Sequence, residues 1–118
     1  MEADRSLRLF GSELRTKILL YLAMLGETYA GELAALIGVS RVTVYRALGD
    51  LEREGYVASV LSGRERWVRL SPRNVAVESL SNLLTLLAEN RPEIMATLSR
   101  LRRRPRRRGK KIDRPERT

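Results

Sequence analysis

The sequence predicts a mainly α-helical fold with one small β-hairpin. Apolar residues recur at helical spacing along most of its 118 residues. Two runs rich in Val, Tyr and Trp, Tyr56–Leu61 and Glu65–Leu70, flank Ser62-Gly63 as antiparallel strands flank a tight turn. Glycines and capping residues stand at the ends of the periodic segments.

The first helix is expected from Ser12 to Leu25. Leu14, Ile18, Tyr21, Leu22 and Leu25 recur on one side, Ser12 is an N-cap, Glu13 suits the first turn, and Gly26 ends the segment. A shorter helix is expected over Tyr29–Ile37, with Leu33, Leu36 and Ile37 as its apolar residues. Gly38-Val39-Ser40 breaks it, since glycine enters the left-handed region at little cost. Ser40 then caps a third helix that runs to about Glu54, buries Val44, Leu48 and Leu51, and stops at Gly55. The hairpin follows, with its tip near Gly63-Arg64 and Trp67 expected in the core beneath it. Ser71-Pro72 reads as the N-cap and first residue of a long helix from Pro72 to Glu89, and Pro92 opens a last helix to about Arg103.

Composition removes several function classes. The chain is 43% hydrophobic and 31% charged, which is globular rather than disordered. It contains no Cys and no His, which excludes disulfides, thiolate or imidazole metal sites, nucleophilic triads and His general bases. With no glycine-rich phosphate loop, no nucleophile elbow and no paired carboxylates suggested, an enzyme is not expected, and neither is a cofactor or a metal. No apolar run is long enough to span a membrane, and Met1-Glu2-Ala3-Asp4-Arg5 does not resemble a signal peptide. The expected location is the cytoplasm, associated with the nucleoid. Three Asn, no Gln and abundant Arg suit a thermophilic source.

The order helix, helix, turn, helix, hairpin is a known way of docking on duplex DNA. The segment Glu32-Leu-Ala-Ala-Leu-Ile-Gly-Val-Ser-Arg-Val-Thr-Val-Tyr-Arg-Ala-Leu-Gly-Asp-Leu-Glu-Arg-Glu-Gly-Tyr-Val57 carries the pattern. Its distinguishing positions are Ala34, Gly38 in the turn, and the buried Val44 of the third helix. Here the chain resembles winged helix-turn-helix regulators of the ArsR and MarR kind. Phe10–Leu22 is similar to the first helix of the ArsR-like group, and the resemblance extends over about residues 8–71. It implies a winged helix fold, DNA binding, and dimerisation through terminal helices. ArsR-like metal sensors use Cys and His ligands, which this chain lacks.

On the third helix Val44, Leu48 and Leu51 share one side, while Val42, Tyr45, Arg46, Gly49 and Arg53 point largely the other way. The expected DNA-binding residues are Ser40, Arg41, Val42, Thr43, Tyr45 and Arg46, joined by Arg64 and Arg66 from the hairpin. Arg pairs with guanine O6 and N7, Thr contacts a thymine methyl or a phosphate, and Tyr bonds a phosphate. One bidentate contact contributes about 1–3 kcal/mol of base discrimination. The plain alternative is a solvated helix face, which would be preferred if the helix stood alone. Gly49 costs about 1 kcal/mol relative to Ala inside a helix, and it reads equally as a site of close DNA approach or as a tolerated defect. Arg66 has an alternative as well, pairing with Glu65 or a neighbouring helix.

Beyond Pro72 the apolar residues Val75, Ala76, Val77, Leu80, Leu83, Leu84, Leu86 and Leu87 cover more surface than one small domain requires. Leu80, Leu83, Leu84 and Leu87 are expected at a homodimer seam, continued by Ile94, Leu98 and Leu101. Packing against the first helix is the alternative. Residues 1–71 are thus expected to form the DNA-binding unit, 72–104 a helical dimerisation region, and 105–118 a basic tail too charged to pack. Net charge is +9, and nine of the twelve residues Arg100–Lys111 are basic. Such a cluster attracts polyanions, although a merely solvated tail would look the same.

The reading that joins these features is a sequence-specific double-stranded DNA-binding transcriptional regulator, a repressor, acting as a homodimer. A sequence-independent chromatin-type binder and a winged-helix protein-interaction module are the alternatives. Duplex RNA is disfavoured, because its narrow major groove does not admit a helix.

Overall fold

The structure is a computed structural model, and it describes residues 8–103. The elements in order are α1 (Glu13–Leu25), β1 (Thr28–Tyr29), α2 (Ala30–Ile37), α3 (Arg41–Arg53), β2 (Val57–Ser62), β3 (Glu65–Leu70), α4 (Val77–Glu89) and α5 (Pro92–Arg103). The expected tail, 105–118, lies outside the described residues.

Ser12 caps α1 as its sequence position requires, its Oγ accepting from the Arg15 N–H at 3.1 Å. The helix is buried on more sides than its apolar spacing implies. Thr16, Ile18, Leu19, Leu20, Tyr21 and Leu22 are all inside, and α2, α3, α4 and β3 all pack against it. A helix surrounded in this way loses its amphipathic signature. Thr16 is admitted to the core because its hydroxyl is satisfied: it donates to the Ser12 carbonyl at 2.9 Å and accepts from the Phe10 N–H at 3.3 Å.

The sheet has three strands, in the order β1-β3-β2, all antiparallel. Tyr29, expected as the start of the second helix, instead pairs with Trp67, and Thr28 pairs with Val68. A two-residue strand has no alternation to read, so sequence pattern misses it. Strands β2 and β3 pair from Val57↔Leu70 to Ser62↔Glu65, leaving Gly63-Arg64 as a two-residue loop. Gly63 has φ +64 and Arg64 does not enter positive φ, the sign pattern of a type II′ turn.

Strand alternation settles the place of Trp67. Val68 is buried, so its neighbour Trp67 faces the outside of the sheet, together with its cross-strand partners Tyr29 and Val60. There the Trp67 ring meets the Tyr29 ring at 5.0 Å between centroids and 57° between planes. Trp67 is therefore half-buried on the outer face of the wing rather than in the core beneath it.

The expected helix start at Pro72 is also corrected. Ser71 is tied to the end of β3: its N–H donates to the Tyr56 carbonyl at 2.9 Å, and its Oγ accepts from the Arg73 N–H at 3.3 Å. Asn74 then accepts from the Ala76 N–H at 2.9 Å and donates to the Gly55 carbonyl at 3.0 Å. These side-chain bonds hold 71–76 in turns and delay α4 to Val77. Val75, expected on the apolar face of the helix, is fully exposed.

One core unites the described residues. Ile18, Leu19, Leu20 and Leu22 of α1 lie in the same cluster as Leu33, Val44, Leu48, Leu51, Val57 and Val68, and as Leu84, Ala88, Ile94 and Leu98 of α4 and α5. Each of the Leu, Ile and Val side chains contributes about 1.5–3 kcal/mol by leaving water. Burial pushes the Tyr21 hydroxyl above the usual tyrosine value of 10.0.

Candidate nucleic-acid interface

The helix-turn-helix depends on Gly38. Helix α2 ends there with φ +85 and ψ +36, and the Gly38 N–H donates to the Ala34 carbonyl at 2.8 Å. This left-handed residue turns the chain sharply enough for α3 to start three residues later. Ser40 caps α3 through its Oγ, which accepts from the Thr43 N–H at 3.1 Å, while the two hydroxyls lie 2.8 Å apart. Ser40 and Thr43 thus satisfy each other and fix the first turn.

Helix α3 has the two expected sides. Val44, Ala47, Leu48 and Leu51 are buried, anchoring it against α1, α2 and β2. Arg41, Val42, Tyr45 and Arg46 are exposed, with Val42 at 59% and Tyr45 at 38%. None of them lies beneath other described protein. Arg41 leans back along the surface toward α2: a Cβ built on Gly31 would lie 3.0 Å from the Arg41 Nη2. Gly31 therefore leaves the space that the Arg41 guanidinium occupies.

The electrostatics of the helix follow from its pairings. Asp50 is bridged by Arg53, Glu54 by Arg15, and Glu52 by Arg66, so each acidic side chain at the C-terminal end of α3 has a cationic partner. Among the described residues Arg41, Arg46 and Arg64 make no ion pair. The exposed end of α3 consequently carries uncompensated positive charge, which favours a polyanion, while at the wing tip Arg64 stands beside Glu65.

The two wing arginines differ. Arg64 sits in the turn, exposed. Arg66 instead points to the inner face of the wing: its Nε donates to the Ser59 Oγ at 3.2 Å, and its Nη2 lies 3.5 Å from the Glu52 Oε1. Ser59 also donates to Glu52 at 3.1 Å. Arg66 thus tethers the wing to α3, which is the neighbouring-helix alternative of the sequence analysis. Sequence reasoning missed this triad because Glu52, Ser59 and Arg66 come from three elements whose meeting only the fold sets. It also missed the exposed Val39, in the turn just before α3.

The expected dimer seam divides. Leu84 is fully buried inside the single chain, so it belongs to the core of the protomer and is unavailable to a partner. Leu80 and Leu87 are partly buried against the same core. Leu83 and its neighbour Leu86 remain open, at 42% and 60% exposed. The reason is that α4 packs along α1, which covers one side of the helix and leaves the other open.

No helix among the described residues is long and apolar enough to cross a membrane. Comparison with known proteins agrees with the architecture. Residues 28–74, from β1 to the turn after β3, match the family model of the Crp-like helix-turn-helix domain. A search of curated proteins gave no match. Among solved structures, HlyU from Vibrio cholerae N16961 is 27% identical, with a TM-score of 0.58 over 69% of this chain and 85% of that one. The transcriptional regulator HlyU from Vibrio vulnificus CMCP6 is 25% identical, with a TM-score of 0.56 over 69% and 78%. The transcriptional repressor BigR from Xylella fastidiosa is 25% identical, with a TM-score of 0.60 over 72% and 82%. The fold is therefore a winged helix-turn-helix of the kind found in transcriptional regulators.

Proposed function

We propose that the protein binds double-stranded DNA in a sequence-specific manner, as a homodimer associated with the nucleoid, and acts as a transcriptional repressor. The observation that carries this reading is the free side of α3. Arg41, Val42, Tyr45 and Arg46 are exposed while every acid at the other end of the helix is already paired. A helix so arranged offers guanidinium groups to base edges and phosphates in the major groove without first breaking internal ion pairs. Arg64 in the wing turn reaches toward the flanking backbone or minor groove. The likeness to HlyU and BigR supports regulation, and BigR's being a repressor supports that direction of control.

Leu83 and Leu86 on α4 support the dimer, since neighbouring exposed leucines are best covered by a second copy. Two copies would set their α3 helices about 34 Å apart, to read successive major grooves. Selection of binding sites from random duplex DNA by the full chain, with sedimentation to determine its mass, tests the reading. An enriched, two-fold symmetric sequence bound by a dimer is the expected result. Equal affinity for all duplexes would replace sequence-specific control with packaging, and no binding at moderate salt would remove DNA from the account.

A further inference from the structure

Val42 is an unfavourable residue for its position unless something covers it. A β-branched side chain is a poorer helix former than Ala. Its methyl groups also face water, at 59% exposure. Tyr45, three residues on along the helix, is exposed as well, and Arg41 and Arg46 flank the pair with charge. Val42 is thus a rigid hydrocarbon knob, set among cations in the turn of α3 that would enter a groove first. Thr43 carries a methyl group too, but it is half-buried and its hydroxyl is held by Ser40. Apolar groups are rare on the base edges of the major groove, and in unmodified DNA the C5 methyl of thymine is the one that hydrocarbon recognises.

We infer that Val42 is the thymine-reading residue of the protein, packing on the C5 methyl of one thymine in each half-site. This rests on the reading of α3 as the DNA-contacting helix, and it adds a base identity to it.

The experiment takes a duplex selected by the full chain and replaces its thymines one at a time with deoxyuridine. That change deletes only the methyl group and leaves base pairing intact. Wild-type protein is expected to lose about fourfold in affinity at one thymine per half-site, the worth of one buried methyl. Val42→Ala is expected to bind the thymine and uridine duplexes equally. Its fold is secured by the better helix propensity of Ala, as circular dichroism and thermal melting would verify. Uridine without effect at every position, or a Val42→Ala protein that still discriminates, overturns the inference while leaving DNA binding intact. A duplex with 5-methylcytosine paired to guanine at the sensitive position carries the same methyl group, so wild-type protein is expected to prefer it over the unmethylated cytosine duplex. A Val42→Ala protein that keeps that preference overturns the assignment. A chain that enriches no sequence overturns the reading of α3 itself.

Discussion

Replacing Gly49 with alanine separates what α3 needs for folding from what it needs for binding. The residue lies inside the helix, four residues before its end, and is only half-exposed. A Cβ built there meets a single neighbour within 4 Å, the Nη1 of Arg53 at 3.8 Å, which is ordinary contact with the end of a flexible side chain. No described atom of the protein therefore requires glycine. Alanine should stabilise the helix by about 1 kcal/mol through its lower backbone entropy loss. For a chain of this size that raises Tm by roughly 3–6 °C. Residue 49 follows Val42 by two turns on the free side of α3, so docking by that side brings a phosphate close to it. The added methyl should then weaken DNA binding about threefold or more, an effect of ~0.7 kcal/mol. Thermal melting and fluorescence anisotropy on one selected duplex measure the two effects. A Tm that falls would refute the packing argument. A raised Tm with unchanged affinity would refute the close approach and leave Gly49 as a tolerated defect.

Other expected outcomes follow from the same geometry. Leu84→Ala should cost about 2–5 kcal/mol in urea unfolding, since its side chain is completely enclosed by the protomer. Leu83→Glu should leave the helical content unchanged and shift sedimentation from dimer to monomer, because residue 83 is open in the single chain. Glu52→Gln should change global stability by no more than about 1 kcal/mol, as the Glu52–Arg66 pair is part-exposed, yet it should speed amide exchange in β2 and β3. The raised pKa of Tyr21 gives a signed pH effect. The folded chain holds that proton more tightly than the unfolded one, so this contribution is intact below the unfolded value of 10.0 and is lost as pH rises beyond it. Tyr21→Phe should flatten the fall in stability across that alkaline range.

Local chemistry made the reading head legible in the sequence. Ser12 and Ser40 are capping residues within one turn of the N–H groups they accept from, and Gly38 is the residue a left-handed turn demands. The two sides of α3 follow from its 3.6-residue period, and the hairpin from its Ser62-Gly63 break. What the sequence concealed depends on contacts between distant segments. Strand β1 exists only because β3 offers it an edge at Val68 and Trp67. Trp67 reads from sequence as a core residue, but its register opposite Tyr29 and Val60 turns it outward. Pro72 is a good first helical residue, yet Asn74 binds the Gly55 carbonyl and keeps the chain in turns until α4 starts at Val77. The seam of leucines on α4 had two possible partners, α1 or another chain. The fold gives Leu84 to α1 and leaves Leu83 outside.

The enclosure of α1 on nearly every side bears on protein engineering. Cutting the chain after residue 71 to transplant the reading head would strip α4, with the α5 packed on it, from the flank of α1 and open part of that buried helix to solvent. A portable module must carry its rear helices as cargo. Swapping operator preference is therefore better done by recoding the outer positions of α3 in place than by exchanging heads between scaffolds.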